Sequence, residues 1–411
     1  MKKNPKYSII IPAKNGGQYL QACIKSILCQ RGDYELIVSD DHSLDGTPEF
    51  LASLRHPSVM VLSPPKSLSM AEHWEWALSH ATGEWLIFVG QDDGLQSYFF
   101  EHAECLTKSA QKHNLRAIMS SRAYFFWPGY EFVYGDIAVS YRAFRHEKIY
   151  STKWQTLRAL LSFQHYFEMP QMYTSSLFHR TLLDDAKSKM GGKVFNAHPQ
   201  DANLAAIACS LDSRYLKTFI PLGWVGSSPK SAGMAVSSTA SIIEGADHQG
   251  LLALKREYQE RITSSLIEYD YRAADFDFGD NAIYFWQALL RTSKLRGEAW
   301  NRFLESVFLQ RLIFSSVLIR HFLFIGDLRG SKKYREILSR NHYKYTSSLL
   351  IALTLVPLHL GVFLIDILSK RIIPILFFPK RASFHITWKQ DISITLAKAS
   401  RICKNLVNGL L

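Results

Sequence analysis

Cysteine is scarce in this chain. The five present, Cys23, Cys29, Cys105, Cys209 and Cys403, are odd in number and scattered, with no CxxC pair. That excludes a disulfide framework and a cysteine-rich zinc site, and it points to a reducing compartment. The N-terminus, MKKNPKYSIIIPAKN, has no long hydrophobic run; its apolar stretch of about five residues is too short for the core of a secretory signal. The body of the chain is therefore expected in the cytoplasm. No GxGxxG and no GxxxxGK[ST] follows the first strand-like run, where the loop reads PAKNGG at residues 12–17. A dinucleotide fingerprint and a P-loop are thus absent. There is no internal repeat and no nucleic-acid-binding motif, so nucleic acid is not an expected partner.

Apolar residues make up 47% of the 411-residue chain, enough for a sizeable core in two or three domains. Lys and Arg number 48 against 36 Asp and Glu, a formal +12. That balance favours an anionic partner, such as a membrane surface or a phosphorylated substrate. Up to residue 119, short β-branched runs alternate with stretches of helical periodicity. Strands are expected at 7–11, 35–39, 59–62, 85–89 and from 116. Helices are expected at 18–30, 47–54, 69–81 with Ser69 as N-cap, and 98–112. Strands alternating with helices of this length predict a Rossmann-like, mostly parallel sheet flanked by helices. Further on, helices are expected at 154–163 and 201–211, a strand at 214–220 and a Gly/Ser/Pro-rich loop at 221–239. Residues 248–345 read as mostly helical.

The tail differs in character. Residues 349–368, LLIALTLVPLHLGVFLIDIL, are nearly continuously apolar, interrupted by Pro357, His359 and Asp366 and flanked on both sides by Lys and Arg. About 20 apolar residues reach across a bilayer. Three readings stand side by side: a buried helix, a spanning helix, and a segment lying on an anionic membrane. Positive charge on both flanks favours the last.

Four carboxylates fall at predicted strand carboxyl ends, where ligands bind in open α/β sheets: Asp40 and Asp41 in SDDHSLDGT, and Asp92 and Asp93 in FVGQDDGLQ. Asp40 or Asp41 is suited to accept hydrogen bonds from a ribose hydroxyl or a base N–H. Taken singly, each pair also reads as a solvated turn. The adjacent pair Asp92 and Asp93 has the hard oxygen donors that Mg²⁺ or Mn²⁺ takes.

In combination and order these motifs resemble family 2 glycosyltransferases of the A-type nucleotide-diphospho-sugar transferase fold. The resemblance runs from PKYSIIIPAKNGG through SDDHSLDGT to SMAEHWEWALSHATGEWLIFVGQDDGL, and weakens towards residue 230. It implies that Pro12 and Asp41 lie on the donor's nucleoside, that Asp92 contacts its ribose or sugar, and that Asp93 coordinates Mg²⁺ or Mn²⁺. Many members have DxDD in the last motif; Gly90 stands here at its first position. The resemblance also implies a general base at the start of a downstream helix, matched by Asp201 in HPQDANLAAIAC, with His198 as a nearby competitor. Asp201 equally suits a plain helix N-cap. Where many members place a histidine near the diphosphate this chain has Ser228, and Lys230 is the alternative cation for the phosphates. Asp184 and Asp185 read as solvated helix positions, and the aromatics of residues 127–150 as packing or as a platform for an acceptor sugar.

The expected organisation is a catalytic domain at 1–230, a helical extension at 231–345 and an apolar, basic membrane-associating tail at 346–411. The expected activity is metal-dependent, inverting transfer of a sugar from a nucleotide-diphosphate-sugar donor to a saccharide or lipid-linked saccharide acceptor. It would occur at the inner face of the cell membrane, in cell-surface polysaccharide or lipopolysaccharide synthesis. The rivals are a sugar-phosphate nucleotidyltransferase and a non-catalytic membrane-bound protein.

Overall fold

A computed structural model describes residues 4–127, 137–139, 147–196, 199–228, 231, 281–320, 345–367, 399–401 and 403–405. The chain opens with β1 (Tyr7–Ala13), α1 (Gly17–Leu28), β2 (Tyr34–Asp40), α2 (Thr47–Ser53), β3 (Val59–Leu62), α3 (Met70–Ser79), β4 (Trp85–Phe88) and a two-residue β5 (Gly94–Leu95). Then come α4 (Phe99–Lys112), β6 (Ala117–Ser120), β7 (Ala123–Phe126), β8 (Ile137–Val139), β9 (Glu147–Ser151) and α5 (Thr152–Leu160). After a short 3-10 turn (Tyr166–Glu168) follow β10 (Ser176–His179), α6 (Arg180–Lys189), α7 (Gln200–Leu211), β11 (Arg214–Thr218) and β12 (Gly223–Ser227).

An eight-stranded sheet has the order β3-β2-β1-β4-β10-β6-β11-β9. The first four strands pair in parallel, as do β6 and β11, while β10 and β9 run against their neighbours. The expected mostly parallel sheet is therefore present, with two antiparallel insertions. In β1, Ile9 and Ile11 point to one face and Ile10 to the other, as the two-residue period of a strand requires. The first face is covered by Leu20, Ile24 and Ile27 of α1 and by Phe99, Ala103 and Leu106 of α4. The opposite face meets Trp74, Ala77 and Leu78 of α3, Leu182 and Leu183 of α6, and Leu204 and Ile207 of α7. Each buried Leu or Ile among them contributes roughly 2 kcal/mol from lost apolar exposure.

Helix α3 begins where its sequence indicated. The Ser69 side chain accepts from the Glu72 backbone N–H and Glu72 returns a bond to the Ser69 N–H, a complete capping box.

A second, four-stranded sheet has the order β5-β12-β7-β8. Its strand β12 lies inside the segment expected to be a loop. Gly and Ser have little strand preference of their own, but β12 runs parallel to β7 and antiparallel to β5, and those partners supply the order.

Helix α7 is buried almost all round, from Gln200 to Ser210. It lies between the main sheet and a helical layer built from Asn281–Arg291, Glu298–Glu305 and Val307–Arg320. Ala202, Ala205, Ala206 and Cys209 pack there against Ile283, Phe285, Trp286 and Phe314. The apolar run of the tail forms a 23-residue helix, Tyr345–Ile367, with Pro357 inside it. Leu350, Leu353, Leu358, Leu360 and Leu364 are exposed on it. No helix among the described residues is long and apolar enough to cross a membrane. Farther along, Ser400 accepts from the Trp224 indole at 2.8 Å, and Cys403 lies 3.3 Å from the Tyr98 hydroxyl, so this piece of the expected tail packs on the small sheet.

Candidate active site

The carboxyl ends of β1, β2 and β4 form one edge of the main sheet, and the loops leaving them touch. Pro12, expected on the donor, pairs in register with Ser39 at this edge. The Lys14 N–H donates to the Gln91 side chain at 2.9 Å, tying the β1 loop to the acidic turn. Asn15 and His42, one in each of the first two loops, adopt left-handed backbone with φ of 53° and 54°. Such geometry in a non-glycine residue is held only where the surroundings enforce it.

Asp41 is buried and held at both oxygens. Its Oδ1 accepts from the Leu68 N–H at 3.0 Å, and its Oδ2 accepts from Lys14 Nζ and Ser67 Oγ, each at 2.9 Å. Burial alone would raise its pKa, but the Lys14 ammonium and these hydrogen bonds carry it below the usual carboxylate value. Its neighbour Asp40 is spent locally, accepting from the Ser43 hydroxyl and backbone N–H.

The acidic turn has the opposite balance. Asp93 is 2% exposed, and its oxygens accept from the backbone N–H of Gly90 at 2.7 Å and of Gly226 at 2.8 Å. Burial, and then the charge of Asp92, push its pKa up to about 7. Asp92 is raised by burial as well, opposed by hydrogen bonds to its Oδ2 from the Ser231 and Ser228 hydroxyls. The Trp127 indole donates to the Asp92 carbonyl at 2.8 Å and fixes the turn from above.

Two glycines make this turn. A Cβ on Gly226 would lie 1.8 Å from the Asp92 carbonyl oxygen, so β12 can approach only without one. A Cβ on Gly90 would lie 2.9 Å from Asp93 Oδ2. Gly90 thus lets the Asp93 carboxylate fold back onto its own turn.

Asp201 lies in the first turn of α7. It is not the N-cap; Pro199 occupies that position. Its Oδ1 accepts from the Ala202 N–H at 2.8 Å and from the Tyr166 hydroxyl at 3.1 Å. Burial raises its pKa, and the Arg122 guanidinium is the strongest influence against that rise.

Arg122 also acts on Asp93. Its charge thus bears on both the acidic turn and Asp201, and nothing in the sequence marked it. The nearest signal was its place just after β6, another carboxyl-end position of the same sheet. Asp185 is half exposed on α6, and Arg116 pairs with it at 2.5 Å and with Asp212 at 2.5 Å. Lys230, His198 and most of the aromatic stretch 127–150 lie outside the described residues. Among the described residues no three His, Cys, Asp or Glu side chains form a metal-binding group; the donors at hand are the adjacent pair Asp92 and Asp93.

The family model described as Glycosyl transferase family 2 matches residues 8–174, which include both acidic strand ends and the turn that holds Asp201. A curated "PGL/p-HBAD biosynthesis glycosyltransferase" of Mycobacterium bovis (strain BCG / Pasteur 1173P2) is 35% identical over 95 residues, which are 22% of this chain and 37% of the relative. The same figures hold for its counterpart in Mycobacterium tuberculosis (strain ATCC 25177 / H37Ra). The match thus spans little more than a third of these relatives' length. Among solved structures, S. aureus TarS 1-349 in complex with UDP-GlcNAc aligns at 15% identity and a TM-score of 0.44, over 83% of this chain and 93% of that one. The mannosyltransferase PcManGT from Pyrobaculum calidifontis, in complex with GDP-Man and Mn2+, aligns at 16% identity and a TM-score of 0.39, over 86% and 87% of the two chains.

Proposed function

We propose that this family 2 chain transfers a sugar from a nucleotide-diphosphate-sugar donor to a hydroxyl of a saccharide or lipid-linked saccharide acceptor, with inversion at the anomeric carbon. The observation that carries the reading is a buried carboxylate in the acidic turn, Asp93, together with a separate buried carboxylate, Asp201, held at one oxygen by the Tyr166 hydroxyl.

In this reading Asp41 and Pro12 receive the nucleoside, and Asp92 the ribose or the donor sugar. Lys230, by its place in the sequence, approaches the phosphates. Asp201 takes the proton of the acceptor hydroxyl while that oxygen bonds the anomeric carbon. The bond from the anomeric carbon to the diphosphate breaks, and its electrons leave with the nucleoside diphosphate. Both mapped bonds to the Asp201 side chain fall on Oδ1, which leaves Oδ2 for the incoming hydroxyl. The raised pKa makes this carboxylate a stronger base than an exposed aspartate.

The acidic turn fits a divalent cation. Asp93 and Asp92 are hard oxygen donors, each with lone pairs beyond those their N–H and O–H partners use. Burial, and for Asp93 also the charge of Asp92, disfavours two bare carboxylates here, a cost that a bound divalent cation would relieve. Mg²⁺ or Mn²⁺, held by Asp93 with help from Asp92, would supply positive charge against the leaving diphosphate.

The expected place of action is the inner face of an anionic membrane, in the synthesis of cell-surface polysaccharide or lipopolysaccharide. The exposed leucines of Tyr345–Ile367, set among Lys and Arg in sequence, support that reading.

The deciding experiment is a screen of nucleotide sugars with Mn²⁺ or Mg²⁺ for release of a nucleoside diphosphate. Asp201→Asn is expected to lower transfer by about a thousandfold while leaving nucleoside diphosphate binding intact. Pyrophosphate as the product would replace this reading with a nucleotidyltransferase. Full transfer by Asp201→Asn would remove Asp201 as the base.

A further inference from the structure

Arg122 leaves β6 at the sheet edge that carries Asp41 and the acidic turn. Its guanidinium carbon lies 3.6 Å from the centroid of the Phe167 ring. Its Nε is buried and has no hydrogen-bond partner among the described residues. The side chain is thus seated by stacking on an aromatic face rather than by hydrogen bonds to a carboxylate.

Phe167 belongs to the turn Tyr166–Glu168, and the adjacent Tyr166 is the residue whose hydroxyl holds Asp201 Oδ1. The two rings meet edge to face, with centroids 4.8 Å apart at 75°. Tyr166 in turn stacks on Phe285 of the helical layer, at 6.1 Å and 16°. One aromatic turn therefore carries both the hydrogen-bond donor to Asp201 and the ring on which Arg122 stacks.

The other charged groups brought by elements packed on α7 are committed elsewhere. Glu168 pairs with Lys217, Asp185 with Arg116 and Lys187 with Glu75. Arg296 stacks on Trp300 at 4.7 Å, and Arg158 acts on Tyr215. His165 stacks on the same Phe167 ring with centroids 3.6 Å apart, Cys209 of α7 lies 3.7 Å from the Met169 sulfur, and Tyr284 is buried in the layer next to α7. The Arg122 charge also bears on Asp93.

We propose that Arg122 is a positioning residue for Asp201: its guanidinium, seated on the Phe167 ring, supplies the positive charge that holds the Asp201 carboxylate ready to receive the proton of the acceptor hydroxyl. The proposal rests on the glycosyl-transfer reading for its purpose. Its physical content, a coupling between Arg122 and Asp201 mediated by the Phe167 seat, does not.

Two measurements on the full chain test it. The first is a stability cycle at pH 8 with wild type, Arg122→Gln, Asp201→Asn and the double variant. Arg122→Gln is expected to lower Tm in the wild-type background and to have little effect, or the opposite sign, when Asp201 is Asn. Additive effects would overturn the proposal, whether or not transfer is ever observed. The second is the pH profile of transfer. Its acid limb is expected to move up by about one unit or more in Arg122→Gln, and by less in Phe167→Leu, which keeps the charge and removes the seat. In Arg122→Lys the limb should stay near that of wild type, with donor KM unchanged. A limb that stays in place in Arg122→Gln, or a defect confined to donor KM, would overturn the proposal. If no nucleotide sugar is turned over by wild type, the functional reading fails and the stability cycle alone decides the coupling.

Discussion

Two acidic strand ends of one sheet edge have been brought to opposite electrostatic states. At the end of β2, Asp41 is paired with Lys14 and hydrogen-bonded to Ser67 and Leu68, and its pKa is lowered. Past the end of β4, the Asp93 oxygens accept from backbone N–H groups beside the like charge of Asp92, the Arg122 charge is only a minor offset, and its pKa rises to about 7. Burial is common to both, so burial alone does not set the outcome. The partner does. A carboxylate already neutralised by lysine suits a neutral donor such as a nucleoside hydroxyl or base N–H. One left with excess charge suits a cation.

The strongest way to break that contrast is Asp93→Asn. Transfer is expected to fall by about a thousandfold, because the variant cannot hold a divalent ion against the leaving diphosphate. Stability should move the other way. A folded pKa raised above the unfolded value gives stability that is complete below the ordinary carboxylate range and is lost as pH rises through about 7. Wild type without metal should therefore lose Tm between about pH 4 and 7, and Asp93→Asn should lose less. Mn²⁺ should restore Tm to wild type at pH 7.5 and leave the variant unchanged. A wild-type Tm that ignores both pH and Mn²⁺ would remove the cation-seeking half of the contrast.

The same pair of sites shows how far residues can be read without coordinates. The carboxylates themselves were legible, because strand ends and acids are local patterns; so was the Ser69 start of α3, since its capping box spans four consecutive positions. What separates the two sites was not legible. Asp93 is held by Gly226, 133 positions away, through a strand whose Gly and Ser content reads as loop. Arg122 gains its meaning from Phe167 and Asp201, and no spacing rule links the three. Gly90 looked like a missing ligand, and its actual role, making room for Asp93, appears only once the turn is folded.

A milder probe works on the neutralised site. Lys14→Met leaves Asp41 with Ser67 and Leu68 but without its counter-ion. Donor KM is expected to rise about tenfold with kcat within about twofold, the pattern of lost ground-state binding. Lys14 is nearly half exposed, with 46% of its side chain accessible against 3% for Asp41. The stability loss is therefore about 1–2 kcal/mol, below that of a fully buried pair. Because the folded pKa of Asp41 is lowered, this loss should be present at pH 7 and fade as pH falls through the carboxylate range. That is the reverse of the pH dependence expected at Asp93, and measuring both slopes on one protein tests the contrast directly.

The smallest effect comes from one step further out. The Leu68 N–H and Ser67 hydroxyl that hold Asp41 lie immediately before the capping box of α3. Ser69→Ala removes the cap without touching Asp41. The helix start should lose about 1 kcal/mol, seen as a small drop in Tm. The loosened 67–68 segment should raise donor KM by about two- to threefold, with metal response unchanged. Glu72→Gln keeps a side chain able to accept from the Ser69 N–H and should act more weakly still. If Ser69→Ala instead altered the Mn²⁺ dependence of Tm, the two strand ends would be energetically linked through the Lys14–Gln91 contact, and the contrast between them would describe one coupled site.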